Sequence, residues 1–154
     1  MNNQDSVELA RQLLPVLPRL SRLMAHHVES ISENEATLMQ FGALHMLTEN
    51  KMTMSDLAKK RHVSLQAASV FVQGLVDRGW VVRVPDPNDR RRSILEVTPE
   101  GQEQERYVRD QMVAYLASLI TEFTPEEQAA AHMFIRSIEH ILQQHYVTDC
   151  ANKG

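Results

Sequence analysis

The fold is decided by residues 80–97, which read WVVRVPDPNDRRRSILEV. Two runs rich in β-branched residues, 80–84 and 93–97, flank a segment that contains two prolines and three consecutive arginines. β-branched and aromatic residues favour strands, whereas Pro, Asp and Asn between two such runs favour a reversal of the chain. The stretch therefore predicts a β-hairpin with a long tip that is stiffened by proline and rich in arginine.

Two short helices are predicted immediately before this hairpin. Ser55 is placed to cap the first, and Ser64 is placed to cap a second helix over about residues 65–78. Gly79 follows, and glycine directly after a basic last turn is a usual stop signal. Two short helices joined by three or four residues form a helix-turn-helix. With the hairpin they predict a winged helix, to which residues 52–54 are expected to add a small extended piece paired with the hairpin.

The segment before the helix-turn-helix has helical periodicity with two interruptions. Apolar residues recur at helical spacing over residues 6–29, but Pro15 and Pro18 lie within this run. Because proline kinks a helix interior, we expect a short lead-in helix and a second one that starts near one of the prolines. An S-x-x-E capping box at residues 32–35 then predicts a helix that extends to about residue 48.

Two long helices are predicted after the hairpin. Thr98 and Thr124 each precede a proline and acidic residues, which is a typical helix start. The fold class is thus mainly α: a winged helix-turn-helix with a two-stranded wing, plus N- and C-terminal helices. We expect one unit over residues 1–154, with the winged helix-turn-helix lobe at 52–97 and flanking helices at 6–31 and 99–146.

The composition places the chain among compact globular proteins. It has 154 residues, 43% of them hydrophobic, with 5 Gly and 6 Pro, which excludes disordered, fibrous and low-complexity classes. The single cysteine, Cys150, excludes a disulfide framework and a zinc site built from several thiolates. Because there is no basic leader segment and no apolar run near the ~18–20 residues of a membrane helix, we expect a soluble, cytoplasmic protein.

Charge is distributed unevenly along the chain. The formal net charge is −4, yet residues 51–93 contain nine basic and four acidic side chains, a net of +5. The remaining residues include seven basic and sixteen acidic ones, a net of −9. A basic block between acidic flanks produces a local positive field that the total conceals. An ordinary solvated surface could give the same count, so the architecture of the block decides whether it binds a polyanion.

Specific phrases within this architecture resemble the MarR family of winged-helix transcription regulators. The phrase DPNDRRRSILEVTPEG at 86–101 matches the family's wing pattern of D-P-x-D-x-R, a strand and T-x-x-G. The phrases MSDLA at 54–58 and GLVDRGWV at 74–81 match its helix-turn-helix. The resemblance covers about residues 8–145. It implies a homodimer in which residues 52–97 form the DNA-binding lobe and the helices at 6–31 and 99–146 form a dimerisation region. Two winged lobes would face double-stranded DNA, most often in a repressor that loses DNA affinity when a small molecule binds.

The resemblance also implies which residues contact DNA. The second helix of the helix-turn-helix would lie in the major groove, where glutamine pairs with adenine and alanine permits contact with a thymine methyl. The residues expected to contact bases or phosphates from this helix and the preceding one are Ser64, Gln66, Ala67, Ala68, Ser69, Gln73, Lys59, Lys60 and Arg61. At Val70 and Gly74 many family members carry basic or polar groups, so these two residues weaken the expected major-groove readout.

The arginine-rich tip of the hairpin is the other expected contact. Arg91 is expected to enter a narrow minor groove, where the negative potential of DNA is enhanced. Arg90, Arg92 and Arg83 are expected to contact phosphates, and Asp89 to orient the wing by pairing with an arginine. If two lobes bind with two-fold symmetry, their half-sites should lie roughly 10 bp apart.

The two long helices predicted after the hairpin carry more apolar surface than one small lobe can cover, which favours a dimer over an intramolecular helix pair. The expected interface residues are Leu13, Leu17, Ile138, Ile141 and Leu142. A small-molecule pocket is expected near His26, His45 and Met46. The seven histidines form no HxxxH or HExxH pair, so neither a metal nor another cofactor is expected. Cys150 lacks a strongly basic setting, so redox sensing is disfavoured.

Two other functions compete with DNA binding. A winged-helix protein–protein adaptor is favoured slightly by Val70, Gly74 and the acidic total, but a basic tip at residues 90–92 would then have no purpose. An enzyme is disfavoured because five isolated glycines make no phosphate loop and no nucleophile–base pair is visible. The operator, the regulated genes, the effector and the direction of regulation are left open by the sequence.

Overall fold

The structure, a computed structural model, describes residues 3–32, 36–87, 89 and 92–151, with backbone alone for residue 3 and for residues 145–151. The elements follow in the order α1 (Asn3–Ile31), α2 (Leu38–Glu49), β1 (Met52–Thr53), α3 (Met54–Lys60), α4 (Leu65–Asp77), β2 (Val81–Pro85), β3 (Ser93–Val97), α5 (Pro99–Ile120) and α6 (Pro125–Ala151). The predicted mainly α fold with a winged helix-turn-helix is confirmed. None of the described helices is long and apolar enough to cross a membrane.

The three strands form one antiparallel sheet in the order β1-β3-β2. Strands β2 and β3 pair from Val81 with Val97 to Pro85 with Ser93, and β1 pairs Met52 with Leu95. The hairpin and the extended piece that pairs with it are therefore confirmed.

Strand β2 starts one residue later than the sequence predicts, because the backbone of Trp80 bonds to the end of α4. The Trp80 N–H donates to the Leu75 carbonyl at 3.0 Å, and the Trp80 carbonyl accepts from the Thr98 N–H at 3.0 Å. Gly79, directly before it, has φ +73° and supplies the left-handed residue at this turn. Trp80 thus joins the end of α4 to the start of α5.

The hydrophobic core lies between α2, α3, α4 and the sheet. Trp80 is fully buried, with its ring centroid 5.6 Å from that of Phe41. The other large, fully buried side chains are Leu44, Leu57, Leu75, Leu95, Val28, Val72 and Val81. Full burial of such a side chain contributes about 1.5–3 kcal/mol, so this core holds α3, α4 and the hairpin in a defined arrangement.

The prediction of two N-terminal helices is wrong, since α1 continues through Pro15 and Pro18 as one helix. Each proline removes one backbone N–H from the helix. The residues around both prolines are exposed, including Arg11 and Leu14, whose carbonyls lose their partners. Because water can bond these carbonyls, the helix tolerates both interruptions.

Helix α2 begins later than predicted, and its cap is Thr37 instead of Ser32. Thr37 and Gln40 form a capping box in which the Gln40 N–H donates to Thr37 Oγ1 at 3.2 Å and the Thr37 N–H donates to Gln40 Oε1 at 3.0 Å. Ser32 Oγ accepts from the Ala36 N–H at 3.1 Å instead. Glu35, the other half of the predicted box, lies outside the described residues.

Helix α3 is capped by Thr53 and not by Ser55. Thr53 has extended dihedrals as the last residue of β1, and its hydroxyl and backbone form a capping box with Asp56. An N-cap residue must be extended, and pairing within the sheet supplies that conformation at Thr53. The predicted caps Ser64 and Thr98 are confirmed at α4 and α5.

The chain divides into two compact units at residue 113. The first unit contains α1 to α4, the sheet and the first part of α5. The second contains the rest of α5 and α6, which form a helical hairpin closed by a capping box between Thr124 and Glu127. Helix α6 continues to Ala151, beyond the predicted end near residue 145.

Candidate nucleic-acid interface

Helix α4 has one face in the core and one face in solvent. Ala68, Phe71, Val72 and Leu75 are buried. We define the outer face of α4 as the exposed residues Gln66, Ala67, Ser69, Val70 and Gln73. The predicted contact residues of this helix therefore share one accessible surface, except for Ala68, which packs in the core and was wrongly expected to approach DNA.

The N-terminus of α4 is an exposed site of partial positive charge. Ser64 Oγ accepts from the Ala67 N–H at 3.1 Å, which satisfies one of the backbone donors of the first turn. The remaining donors and the helix dipole favour an anion at this position. The hydroxyl of Ser64 keeps its own proton for donation, so a phosphate oxygen can be bound here.

Gln73 joins the outer face of α4 to the hairpin. Its Nε2 donates to Asp77 Oδ1 at 2.8 Å, and its Oε1 accepts from Arg83 Nη2 of β2 at 3.2 Å. Arg83 is therefore held beside the outer face of α4. This position is compatible with the predicted contact between Arg83 and phosphate. A bidentate pair between Gln73 and adenine would have to replace these two bonds.

Gly74 is a packing position between α2 and α4. A Cβ atom there would lie 2.3 Å from Gln40 Nε2 and 3.2 Å from Arg78 Nη1. Arg78 also donates to the Gly74 carbonyl at 2.7 Å, and its guanidinium carbon lies 5.7 Å from the Trp80 ring centroid. A side chain at Gly74 would displace the ends of Gln40 and Arg78, which are flexible, so close packing accompanies this glycine but does not require it.

Arg61 is partly buried, whereas Lys59 and Lys60 are exposed. Its guanidinium carbon lies 5.6 Å from the Phe71 ring centroid, and its Nη1 lies 3.9 Å from Met46 Sδ. Burial lowers the pKa of Arg61 from its ordinary value. The geometry gives Arg61 a packing role in the helix-turn-helix, and the two lysines are the freely placed cations of α3.

Arg92 ties the hairpin to the start of α3. Its backbone N–H donates to the Asp89 carbonyl, and its carbonyl accepts from the Asp86 N–H, both at 2.9 Å. Its Nη2 lies 3.7 Å from Asp56 Oδ2 and 3.4 Å from Thr53 Oγ1. Arg92 was expected to contact phosphate, but these contacts direct its side chain toward the capping box of α3.

Of the other residues at 89–92 that are predicted to form the wing contact, only Asp89 lies within the described residues. Arg90 and Arg91 lie outside the described residues, so their expected roles stay predictions. Asp89 is exposed, and its carbonyl accepts the Arg92 N–H. The arginine pairing expected of its carboxylate also stays a prediction.

Asp56 is the carboxylate that Arg92 approaches at the start of α3. The hydroxyl of Thr53 donates to Asp56 Oδ2 at 2.6 Å and is the main reason that the pKa of Asp56 lies below its ordinary value. Desolvation opposes this shift, while the Thr53 N–H, Arg92 and Lys59 add to it. The sequence already contained this signal, because Thr53-Met54-Ser55-Asp56 has the [ST]-x-x-[DE] spacing of a capping box.

The residues predicted to line a small-molecule pocket are not brought together by any described bond. His45 Nδ1 lies 2.8 Å from Oε1 of Glu105, a buried carboxylate of α5 that also pairs with Arg109 Nη1 at 3.2 Å. Met46 packs beside the core and His26 is exposed on α1. No sequence signal pointed to the link between α2 and α5 through His45 and Glu105. Within the described part of the chain, no three His, Cys, Asp or Glu side chains are grouped to hold a metal.

The predicted dimer residues lie on exposed apolar helix faces within each unit. Leu17, Ile141 and Leu142 are exposed, and Leu13 and Ile138 are half-buried. In the first unit, α1 lines an open groove of about 500 Å³ with Val16, Arg19, Leu20 and Leu23. In the second, α5 and α6 line another of about 450 Å³ with Ala117, Ile120, Thr121, Gln128, Ala131, His132 and Ile135. The side chain of Cys150 is outside the described set.

Together the three-stranded sheet, the helix-turn-helix and the polar outer face of α4 define a winged helix-turn-helix protein. The model of the MarR family matches residues 37–92. The chain belongs to the MarR family of winged-helix transcriptional regulators.

Relatives and solved structures support this membership. The multiple antibiotic resistance protein MarR of Salmonella typhimurium is 28% identical over 98 residues, which are 63% of this chain and 66% of that protein. The crystal structure of wild-type apo MarR from Escherichia coli superposes with a TM-score of 0.75 at 25% identity, covering 84% of this chain and 95% of that one. A cysteine-to-serine mutant of that MarR, solved in complex with operator DNA, has a TM-score of 0.66 at 23% identity, covering 90% and 99%.

Proposed function

We propose that this protein is a sequence-specific regulator that binds double-stranded DNA as a homodimer on a pseudo-palindromic operator and acts as a ligand-responsive repressor. The observation that carries the proposal is the outer face of α4. Its five residues are exposed on a helix whose opposite face is anchored in the core, so a ligand can reach them without any rearrangement of the fold. The related MarR bound to operator DNA supports the same ligand class.

In this proposal α4 lies in the major groove and the wing lies over the adjacent minor groove. Gln66 and Ser69 reach base edges, and Ser64 with the helix N-terminus binds a phosphate. Lys59, Lys60 and Arg83 supply further cations around the outer face of α4, and Arg91 enters the minor groove.

Homodimerisation is proposed because both units expose apolar helix faces. Exposed leucines and isoleucines of α1 and α6 would be covered by a second copy, with Leu13, Leu17, Ile138, Ile141 and Leu142 in the interface. Two lobes related by two-fold symmetry would then read half-sites roughly 10 bp apart. A small-molecule effector is part of the proposal through family membership, with His26, His45 and Met46 as the starting residues for a search.

The protein–protein adaptor is the alternative, and Gly74 and the formal net charge of −4 favour it. The exposed cations Lys59, Lys60 and Arg83 of the winged lobe favour DNA. We propose no catalytic activity, because relatives from Bacillus subtilis and Streptococcus pneumoniae are named transcriptional regulators. The cytoplasmic location expected from the sequence stays a prediction.

The proposal is tested by selecting bound duplexes from random DNA and measuring affinity for the enriched sequence. The Arg91→Ala variant is expected to bind about 5- to 150-fold more weakly, because an arginine contact in a groove contributes on the order of 1–3 kcal/mol. Arg11→Ala, which removes an exposed arginine from α1, is the matched control and is expected to keep wild-type affinity. Failure to enrich any sequence would favour the adaptor, whereas equal affinity of wild type and Arg91→Ala for an enriched duplex would remove the proposed minor-groove role of Arg91.

A further inference from the structure

Val70 is an apolar side chain at the centre of the surface that faces DNA in the proposed function. It is 71% exposed, among the most exposed large hydrophobic side chains of the described residues. Gln66 and Ala67 precede it by one helical turn and Gln73 follows it by one, so all four share a side of the helix. Every one of these neighbours is exposed as well.

The fold gives no reason for valine at this position. The core face of α4 consists of Ala68, Phe71, Val72 and Leu75, and Val70 contributes nothing to it. Valine is also a poorer helix former than alanine or glutamine, because its branched Cβ loses rotamer freedom in a helix. What distinguishes Val70 from other exposed apolar side chains is its place at the centre of the outer face of α4, where an apolar group of a bound ligand can cover it.

The major groove of DNA presents one apolar group, the C5-methyl of thymine. We propose that Val70 is a specificity-determining residue that contacts this methyl group, so that each half-site contains a thymine whose methyl is required for full affinity. The inference rests on the proposed function, because it requires α4 to enter the major groove. It also reverses the expectation that Val70 weakens readout there.

Charge favours DNA over a protein as the occupant of this surface. Lys59 and Lys60 are exposed on α3, the helix packed against α4. Arg83 reaches the outer face of α4 through its bond to Gln73. A polyanion is attracted to a lobe that carries such cations, whereas an apolar protein surface would have to desolvate them.

The test removes the methyl group without changing any base pair. In the selected duplex, each thymine of a half-site is replaced in turn by 2′-deoxyuridine, and the affinity of each duplex is measured. For wild type, one position is expected to lose about fourfold in affinity, the value for removing one buried methyl group. In Val70→Ala the same replacement is expected to cost clearly less than in wild type, because alanine keeps only the Cβ methyl and contacts the thymine methyl less. Val113→Ala, an equal truncation of a 62% exposed valine on α5, is the control and should keep the wild-type preference for thymine.

Three outcomes overturn the inference and are distinguishable from one another. If wild type binds every uracil duplex as tightly as the thymine duplex, no methyl group is read. If Val70→Ala shows the same fourfold preference as wild type, the methyl is read by another residue. If no duplex is bound by any variant, the proposed function fails and this inference fails with it. Circular dichroism of Val70→Ala verifies the fold, and its exposed position predicts an unchanged melting temperature.

Discussion

Replacing Gly101 by alanine should destabilise the protein, because the added Cβ atom would clash with the backbone carbonyl of Trp80, the residue that joins α4 to the sheet. Gly101 lies in the first turn of α5, and a Cβ atom there would be 2.2 Å from the Trp80 carbonyl oxygen and 2.9 Å from Val97 Cγ1. Ordinary contact distances are about 3.5 Å, so the overlap with the carbonyl exceeds an ångström. Because Trp80 is held by bonds to Leu75 and Thr98, the carbonyl cannot retreat without breaking one of them.

The expected magnitude follows from three opposing contributions. Alanine gains up to about 1 kcal/mol over glycine in a helix. Overpacking against a fixed group costs about 1–3 kcal/mol, and loss of the Thr98 N–H bond to Trp80 costs about 1 kcal/mol more. Gly101→Ala should therefore lower the free energy of unfolding by roughly 1–3 kcal/mol, and the melting temperature by about 2–4 °C per kcal/mol.

Gly42→Ala is the matched control in α2. Its Cβ would be 2.8 Å from Arg61 Nη1, which is the far end of a flexible side chain. Arg61 can swing toward solvent, so the helix gain and the lost contact with Phe71 nearly cancel. This variant should stay within about 1 kcal/mol of wild type.

The assay is urea unfolding followed by tryptophan fluorescence at one fixed protein concentration. Trp80 is the single tryptophan and is fully buried, so its emission reports the junction under test. A fixed concentration is needed because association would stabilise the folded state by mass action. The reasoning is refuted if Gly101→Ala is as stable as wild type, or if Gly42→Ala is destabilised equally.

Three further predictions concern the interface and its support. The lowered pKa of Asp56 means that its stabilising contribution is complete above pH 3.8 and is lost as pH falls from there through the folded-state pKa; Asp56→Asn should lose less stability than wild type between pH 5 and about pH 3, and an equal loss in urea titrations would contradict this. Ser64→Asp should keep the α4 cap and the melting temperature but repel phosphate, so its loss of DNA affinity relative to wild type should be largest at low salt. Unchanged affinity would show that no phosphate lies at the N-terminus of α4. Lys60→Gln should reduce the slope of log affinity against log salt by about 0.9 if it neutralises one phosphate, whereas an unaltered slope would place Lys60 outside the contact.

The sequence by itself determined many of the elements whose signals are local, although the caps predicted at Ser32 and Ser55 were wrong. The hairpin, the caps at Ser64 and Thr98 and the stop at Gly79 each depend on residues within a few positions of one another, and all were correctly predicted. The same holds for the solvent-facing positions of α4, apart from Ala68. Local hydrogen bonds and dihedral preferences act over one or two turns, and a sequence window contains both partners.

Only the tertiary structure decided the roles that depend on distant partners. The Gln40 side chain packs close to Gly74, and the Arg61 guanidinium lies over the Phe71 ring. The Trp80 carbonyl occupies the space that a side chain at Gly101 would need. The link between His45 and Glu105 joins residues 60 positions apart, and no pattern in either neighbourhood predicts it. Such roles follow from close packing, in which the space left for a side chain is set by elements far away in the sequence. A residue type limits the interactions that a position can make, and the residues packed around it determine which of these interactions form.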